Sequence, residues 1–195
     1  MAMNSQVNIN TVDSKAELLL ELQQIRLLAM DVDGVLTDGS LNIGAEGELF
    51  KAFNAKDGMG ISLAMRNGLE IALITGRRSE IINRRAEELG ITLLYEDVKD
   101  KALQLKQIAA ERGISLDEIA YMGDDLNDLP AMVQAGISFA PADAAKDVLK
   151  AVNAVASCNG GRGAVREIIE LILEAQGKWE NIVKAYMSHG QGDKQ

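Results

Sequence analysis

RLLAMDVDG, residues 26–34, is an apolar run that stops on two aspartates and a glycine. Four apolar residues after Arg26, with no polar alternation, read as a strand buried on both faces, and DVDG as the loop that leaves it. The same grammar recurs along the chain. IALI (71–74) runs into TGR, TLLY (92–95) into EDVKDK, and IAYM (119–122) into GDD. Further short strands are predicted at Ile137–Ala140 and Ala154–Ala156. Helical spacing of apolar residues lies between them: Asp57–Arg66, Ser79–Leu89, Lys99–Arg112, Leu126–Gln134, Ala144–Lys150 and Gly163–Gln176. Gly90 and Gly113 supply helix stops. Alternating strands and helices of this kind predict an α/β fold, a Rossmann-like parallel sheet with helices on both faces. A small hairpin, residues 40–53, is predicted around the turn-rich GAEGE. Residues 1–25 read as an extension with one helix from Asp13 to Ile25, capped by Asp13 or Ser14. Residues 26–176 read as the domain proper, and residues 177–195 as a flexible polar tail.

Composition narrows the chemistry. The 195 residues are 47% hydrophobic and 25% charged, ordinary for one globular domain. A net charge of −9 argues against nucleic acid and anionic membrane as partners. Aromatic residues are 4% of the chain, too few for a stacking platform. The single cysteine, Cys158, excludes an internal disulfide framework, and no run of apolar residues is long enough to span a bilayer. With no signal peptide apparent at MAMNSQVNIN, a cytoplasmic protein is expected. His189 is the one histidine, in a polar segment, so histidine catalysis is not expected.

In open parallel sheets, ligands sit outside the carboxyl ends of the strands. Those ends carry Asp31 and Asp33, Thr75-Gly76-Arg77, Asp100-Lys101, and Asp124-Asp125. Two carboxylates two residues apart repel unless a cation lies between them or one keeps a proton. Mg2+ takes carboxylates, waters and phosphate oxygens, and Asp124 from another strand end would complete its site. DVDG alone would read as an acidic turn; four separate strand ends with matching chemistry make a constellation.

DVDGVLTDG, ITGR, the Asp100-Lys101 pair and GDDLNDLP resemble the four motifs of the haloacid dehalogenase superfamily of aspartate-based phosphatases, from about Leu27 to Glu170. Within it, GELFKAFNAKDGMGI and GGRGAVREI make the chain similar to the 3-deoxy-D-manno-octulosonate 8-phosphate (KDO 8-phosphate) phosphatases. The resemblance implies a phosphoric monoester hydrolase acting in the KDO branch of lipopolysaccharide biosynthesis. It implies Asp31 as nucleophile, forming an aspartyl phosphate, and Asp33 as general acid and then general base. Thr75 and Lys101 would hold the phosphoryl oxygens. Mg2+ would be bound by Asp31, Asp124 and the Asp33 main-chain carbonyl. Asp125 and Asp128 would orient Lys101 or metal-bound waters, or else favour a helix N-terminus.

The hairpin and one helix consume the interval from Asp33 to Thr75, and one helix and one strand consume that from Thr75 to Lys101, so no cap domain fits. A closed site favours this chemistry, and the hairpin is too short to stand alone. A neighbouring subunit is the expected lid, and the resemblance implies a homotetramer. Cations near the strand ends of an acidic chain suggest a second anionic group on a small-molecule substrate. By resemblance, Asn54, Lys56, Asp57, Gly58, Gly76, Arg77 and Arg85 would surround the sugar acid.

Three rivals share some of these features. A phosphoacceptor receiver would carry its acceptor aspartate after a later strand, and none follows Ile71–Ile74 or Thr92–Tyr95. A catalytically dead scaffold would lack a motif residue, and none is missing. A phosphatase of a sialic-acid-like nonulosonate 9-phosphate would share every catalytic residue and differ only in its sugar contacts.

Overall fold

The computed structural model describes residues 8–9 and 15–189. In chain order its elements are β1 (Asn8–Ile9), α1 (Lys15–Gln24), β2 (Leu27–Met30), β3 (Asn42–Gly44), β4 (Gly47–Phe50), α2 (Ala55–Arg66), β5 (Glu70–Ile74), α3 (Glu80–Leu89), β6 (Leu93–Tyr95), α4 (Lys101–Arg112), β7 (Ile119–Met122), α5 (Leu129–Met132), β8 (Ile137–Ala140), α6 (Lys146–Ala151), β9 (Ala154–Val155), α7 (Ala164–Ala175) and α8 (Trp179–His189). Seven strands form one sheet in the order β1-β9-β8-β7-β2-β5-β6, and β3-β4 form a separate hairpin. Strands β2 and β5 to β9 are parallel; β1 runs antiparallel along the β9 edge.

The apolar runs are buried because both faces of the sheet are covered. In β2, Leu28 and Met30 join one core with α1, α2, α3 and α7, while Leu27 and Ala29 join the other with α4, α5 and α6. All four β2 residues are buried, and full burial of a leucine is worth roughly 1.5–3 kcal/mol. The helix ends follow local chemistry. Asn54, Ser79 and Asp100 cap α2, α3 and α4 through side-chain oxygens. Gly90 and Gly113 close α3 and α4 in the left-handed conformation.

The fold places the site by its connectivity. From β2 the chain adds β5 and β6 on one side, then crosses to β7 and adds β8 and β9 on the other. The topological switch point therefore falls between β2 and β7, where such sheets open a crevice at their carboxyl ends. Leu27 pairs with Ile119 and Met30 with Met122, so Asp31 and the loop from Gly123 emerge side by side.

Three elements differ from the sequence expectation. The edge strand β1 has only two residues and no apolar pattern of its own; pairing with Ala154 and Val155 defines it. The helix expected over Leu126–Gln134 is a single turn, because Asp128 is drawn inward beneath the preceding loop. The segment expected as a flexible tail from residue 177 contains α8, whose Ile182 enters the core and whose Trp179 lies 5.1 Å beneath the Arg166 guanidinium. The proposed α1 caps, Asp13 and Ser14, lie outside the described residues. No described helix is long and apolar enough to cross a membrane.

Candidate active site

Asp31 extends β2 by one rung, its N–H donating to Met122 O at 3.0 Å. Its Oδ1 accepts the Val32 N–H at 2.7 Å, which turns Oδ2 toward Lys101 Nζ at 3.0 Å. Lys101 is the first residue of α4, set there by the Asp100 cap. Its ammonium is buried and lies 2.7 Å from Asp128 Oδ1, which also accepts the Tyr121 hydroxyl at 2.9 Å. Asp128 Oδ2 accepts the N–H groups of Asp124 and Asp125 at 3.1 and 3.4 Å. Asp128 thus has both oxygens occupied and ties Lys101, β7 and the GDD loop together.

Asp124 differs. Its Oδ1 is buried and has no hydrogen-bond partner, while ligand oxygens of Asp31, Asp124 and Asp128 lie within 4.8 Å of one another. Burial and the neighbouring charges of Asp31 and Asp128 push the Asp124 carboxyl up to about 7. Burial, then Asp128, carries Asp31 up to about 6 although Lys101 opposes the rise. For Lys101, burial works against the charged form, but Asp31 and Asp128 outweigh it and hold the ammonium above its ordinary range. Crowded, raised carboxyls around an orphaned buried oxygen are what a divalent cation would relieve. The donor set is all oxygen, which suits a hard cation.

Glycine shapes the pocket floor. Gly34 has φ of +94°, and a Cβ there would lie 2.0 Å from Asp124 Oδ2. The loop Asn159–Gly163, whose role the sequence left open, clasps the nucleophile loop from behind. Gly161 N–H donates to Val35 O at 2.9 Å, and a Cβ on Gly160 would meet Gly34 O at 1.8 Å.

Asp33 faces a different partner. It is ion-paired with Lys51 Nζ, which also lies 2.8 Å from Glu48 Oε1. Glu48 Oε2 in turn accepts the Ser79 hydroxyl. Lys51 and Glu48 come from the hairpin and were not among the sequence candidates, although both lie in the GELFKAFNAKDGMGI stretch that carries the family resemblance. Thr75 is buried at the end of β5, its main chain bonded to Tyr95 and Val98 and its Oγ1 accepting the Arg77 N–H at 3.3 Å.

The other sequence candidates divide. Asn54 Oδ1 is engaged in capping α2, accepting the Lys56 N–H at 2.8 Å. Asp57, expected beside the sugar, is fully buried, and its two oxygens accept N–H groups of Gly163 and Arg166 at 3.1 and 2.8 Å. It fastens the start of α7 to α2 and presents no surface to solvent. Burial raises its carboxyl, against those two amides. Asp125, expected to orient Lys101, is exposed and accepts the Leu126 N–H at 2.7 Å; Asp128 alone of the pair touches Lys101. Lys56, Gly76 and Arg77 are exposed. Arg85 lies over the Phe53 ring at 5.5 Å and pairs with Glu88 at 2.8 Å. It borders a groove of about 380 Å³ with Ala55, Gly58, Ser62 and Leu89. Its Nε is buried without a partner, and Gly58 leaves room for its guanidinium, since a Cβ there would lie 2.3 Å from Nη2.

Residues 94–169 match the family of haloacid dehalogenase-like hydrolases. Over 163 residues the chain is 43% identical to the 3-deoxy-D-manno-octulosonate 8-phosphate phosphatase of Escherichia coli K12, covering 84% of this chain and 87% of that protein. The Moraxella catarrhalis 3-deoxy-D-manno-octulosonate 8-phosphate phosphatase, solved with a magnesium ion, a phosphate ion and a KDO molecule, superposes with a TM-score of 0.86 at 37% identity. That match covers 89% of this chain and 99% of the other. The cobalt-bound phosphatase of Haemophilus influenzae gives 0.83 at 40% identity, covering 86% and 99%.

Proposed function

Since the chain belongs to the haloacid dehalogenase-like phosphatases, and among them to the 3-deoxy-D-manno-octulosonate 8-phosphate phosphatase family, we propose that it hydrolyses KDO 8-phosphate to KDO and inorganic phosphate with Mg2+ as cofactor. The observation that carries this reading is the ammonium of Lys101 held between Asp31 and Asp128 beside the orphaned oxygen of Asp124. It is a site for one cation and one phosphoryl group at the switch point of the sheet.

In this reading Asp31 Oδ2 attacks phosphorus, the P–O bond to the sugar breaks, and an aspartyl phosphate forms. Asp33 gives a proton to the departing sugar oxygen, then takes one from the water that opens the acyl phosphate. Lys101 and the Thr75 hydroxyl hold the non-bridging oxygens. Asp31, Asp124 and the Asp33 carbonyl would hold Mg2+, which supplies charge neutralisation on the transferring group. Asp128 fixes Lys101, so its role is positioning.

Lys56, Arg77 and Arg85 are the cations we assign to the sugar acid. The unpartnered Nε of Arg85 and the space at Gly58 favour it for the carboxylate. We place the activity in lipopolysaccharide precursor synthesis in the cytoplasm, in line with the free thiol of Cys158. The hairpin exposes Leu41, Ile43, Leu49 and Phe50, which favours a homotetramer in which hairpins pack on neighbouring copies and close the site.

The test is phosphate release from KDO 8-phosphate and from nonulosonate 9-phosphates, with Mg2+ and with chelator. KDO 8-phosphate should give the highest kcat/KM, chelation should abolish turnover, and Asp31→Asn should lose activity at least about 10³-fold while still folding. Activity that survives Asp31→Asn overturns the nucleophile; preference for a nine-carbon substrate overturns the sugar.

A further inference from the structure

Two aspartates flank Val32, and each has its own lysine. Asp31 pairs with Lys101 from α4, whereas Asp33 pairs with Lys51 from the hairpin. The Lys51 side chain is 2% exposed, and Glu48 of the same hairpin holds its ammonium from the far side at 2.8 Å. Glu48 is anchored in turn by the Ser79 hydroxyl, the oxygen that caps α3 by accepting the Ile82 N–H at 3.4 Å. The chain of contacts runs from a rigid helix end through Glu48 and Lys51 to Asp33. Lys51 is therefore fixed from behind, and the group it orients is the Asp33 carboxylate.

We infer that Lys51 is a positioning residue for proton transfer by Asp33, so that the seating of the hairpin sets the alignment of the acid–base group. The inference rests on the reading of Asp33 given above. A general acid must come within about 2.6–3.2 Å of the leaving oxygen, and misplacement by about 1 Å can cost on the order of a hundredfold. An aspartate on a four-residue turn without its lysine has rotamers to spare. Methylene packing alone would not orient it; the ammonium does, because it bonds a carboxylate oxygen directly.

The experiment is a double-mutant cycle of Lys51→Met and Asp33→Asn, read as kcat/KM, which reports the steps up to transfer onto Asp31. Two substrates are compared, KDO 8-phosphate and p-nitrophenyl phosphate, whose nitrophenolate leaves without a proton. Lys51→Met should lower kcat/KM for the sugar phosphate by roughly 10–100-fold and for the aryl phosphate by less than about threefold. In the Asp33→Asn background it should add less than about twofold. Lys51→Arg should restore part of the loss. If Lys51→Met fails to fold, Glu48→Gln, which loosens the anchor and leaves the lysine in place, must show the same dependence on leaving group. Equal losses on both substrates, or losses that multiply with Asp33→Asn, mean that Lys51 only holds the hairpin, and the inference falls while the acid–base role stands. Full activity of Asp33→Asn toward the sugar phosphate removes that role and the inference with it.

Discussion

The carboxylate of Asp128 lies 2.7 Å from the ammonium of Lys101, and the oxygen that makes this contact also takes the Tyr121 hydroxyl. All three side chains are buried. Removing Asp128 leaves the buried Lys101 ammonium with Asp31 and strips the partner from the Tyr121 hydroxyl and from the Asp124 and Asp125 N–H groups, and each buried group left unpaired costs about 1–3 kcal/mol. Asp128→Ala should therefore destabilise the fold by more than the loss of one such group in urea titration and reduce turnover. Tyr121→Phe, which removes one neutral donor, should cost only about 1 kcal/mol and keep most of the activity. Similar stabilities for the two variants would show that Asp128 is not the centre of the network.

How far this site was legible follows from the range of its contacts. Asp31, Thr75, Lys101 and Asp124 could be read because each follows or opens an element whose apolar run or cap is local. The fold contacts of Asp57 are not legible in the sequence, because its partners, Gly163 and Arg166, lie over a hundred residues away. Lys51 was missed for the same reason, since its meaning depends on how the hairpin folds back over Asp33. The strands were legible as apolar runs, whereas β1 exists only through its pairing with β9. Helix α8 is faint in the sequence: Trp179, Ile182, Val183 and Tyr186 fall at helical spacing, but the segment is polar around them and its hold on the core comes through Ile182.

The acidic cluster makes stability depend on pH and metal together. Asp31 rises to about 6 and Asp124 to about 7, from ordinary values near 4 in the unfolded chain. The folded chelated protein thus binds more protons than the unfolded one across this window. The contribution of these two carboxyls to stability is full below about pH 4 and is lost as pH rises through about 6 to 7. Mg2+ should reverse the trend, because the cation takes the place of the protons and its binding releases them. In thermal unfolding with chelator, Tm should drop between pH 5 and pH 8. With Mg2+ at about a hundredfold excess over Kd, roughly 2.7 kcal/mol should return at pH 8, or several degrees, and much less at pH 5. An Mg2+ effect independent of pH would place the ion away from these carboxylates.

Gly34 tests the contact between the nucleophile loop and Asp124. Alanine there suffers twice, from a φ of +94° and from a Cβ 2.0 Å from Asp124 Oδ2. Gly47, at the hairpin, has a φ of +123° and nothing within 4 Å of a Cβ. Gly47→Ala should cost only backbone strain, about 1–3 kcal/mol. Gly34→Ala should cost more and also weaken Mg2+ binding by displacing Asp124, which isothermal titration would detect. Equal Mg2+ affinity in the two variants would disprove the close approach.

The burial of Asp57 separates a fold contact from a substrate contact. Its carboxylate caps the start of α7, and replacing such a cap with alanine costs about 0.5–2 kcal/mol, more where the oxygens are buried. Asp57→Ala should lower stability in urea while KM for KDO 8-phosphate changes less than about threefold. Gly58→Ala, one residue on, should do the opposite. Its Cβ would lie 2.3 Å from Arg85 Nη2, and the cheapest relief is for the long arginine side chain to swing away. KM for the sugar acid phosphate should then rise about tenfold or more, in keeping with the loss of one charge-assisted contact worth about 1.5–3 kcal/mol. For p-nitrophenyl phosphate, which has no carboxylate to recognise, kinetics should be nearly unchanged. Were both substrates affected alike, Arg85 would be a packing residue between α2 and α3, held by Phe53 and Glu88, and the sugar carboxylate would have to be met by Lys56 and Arg77 at the exposed rim.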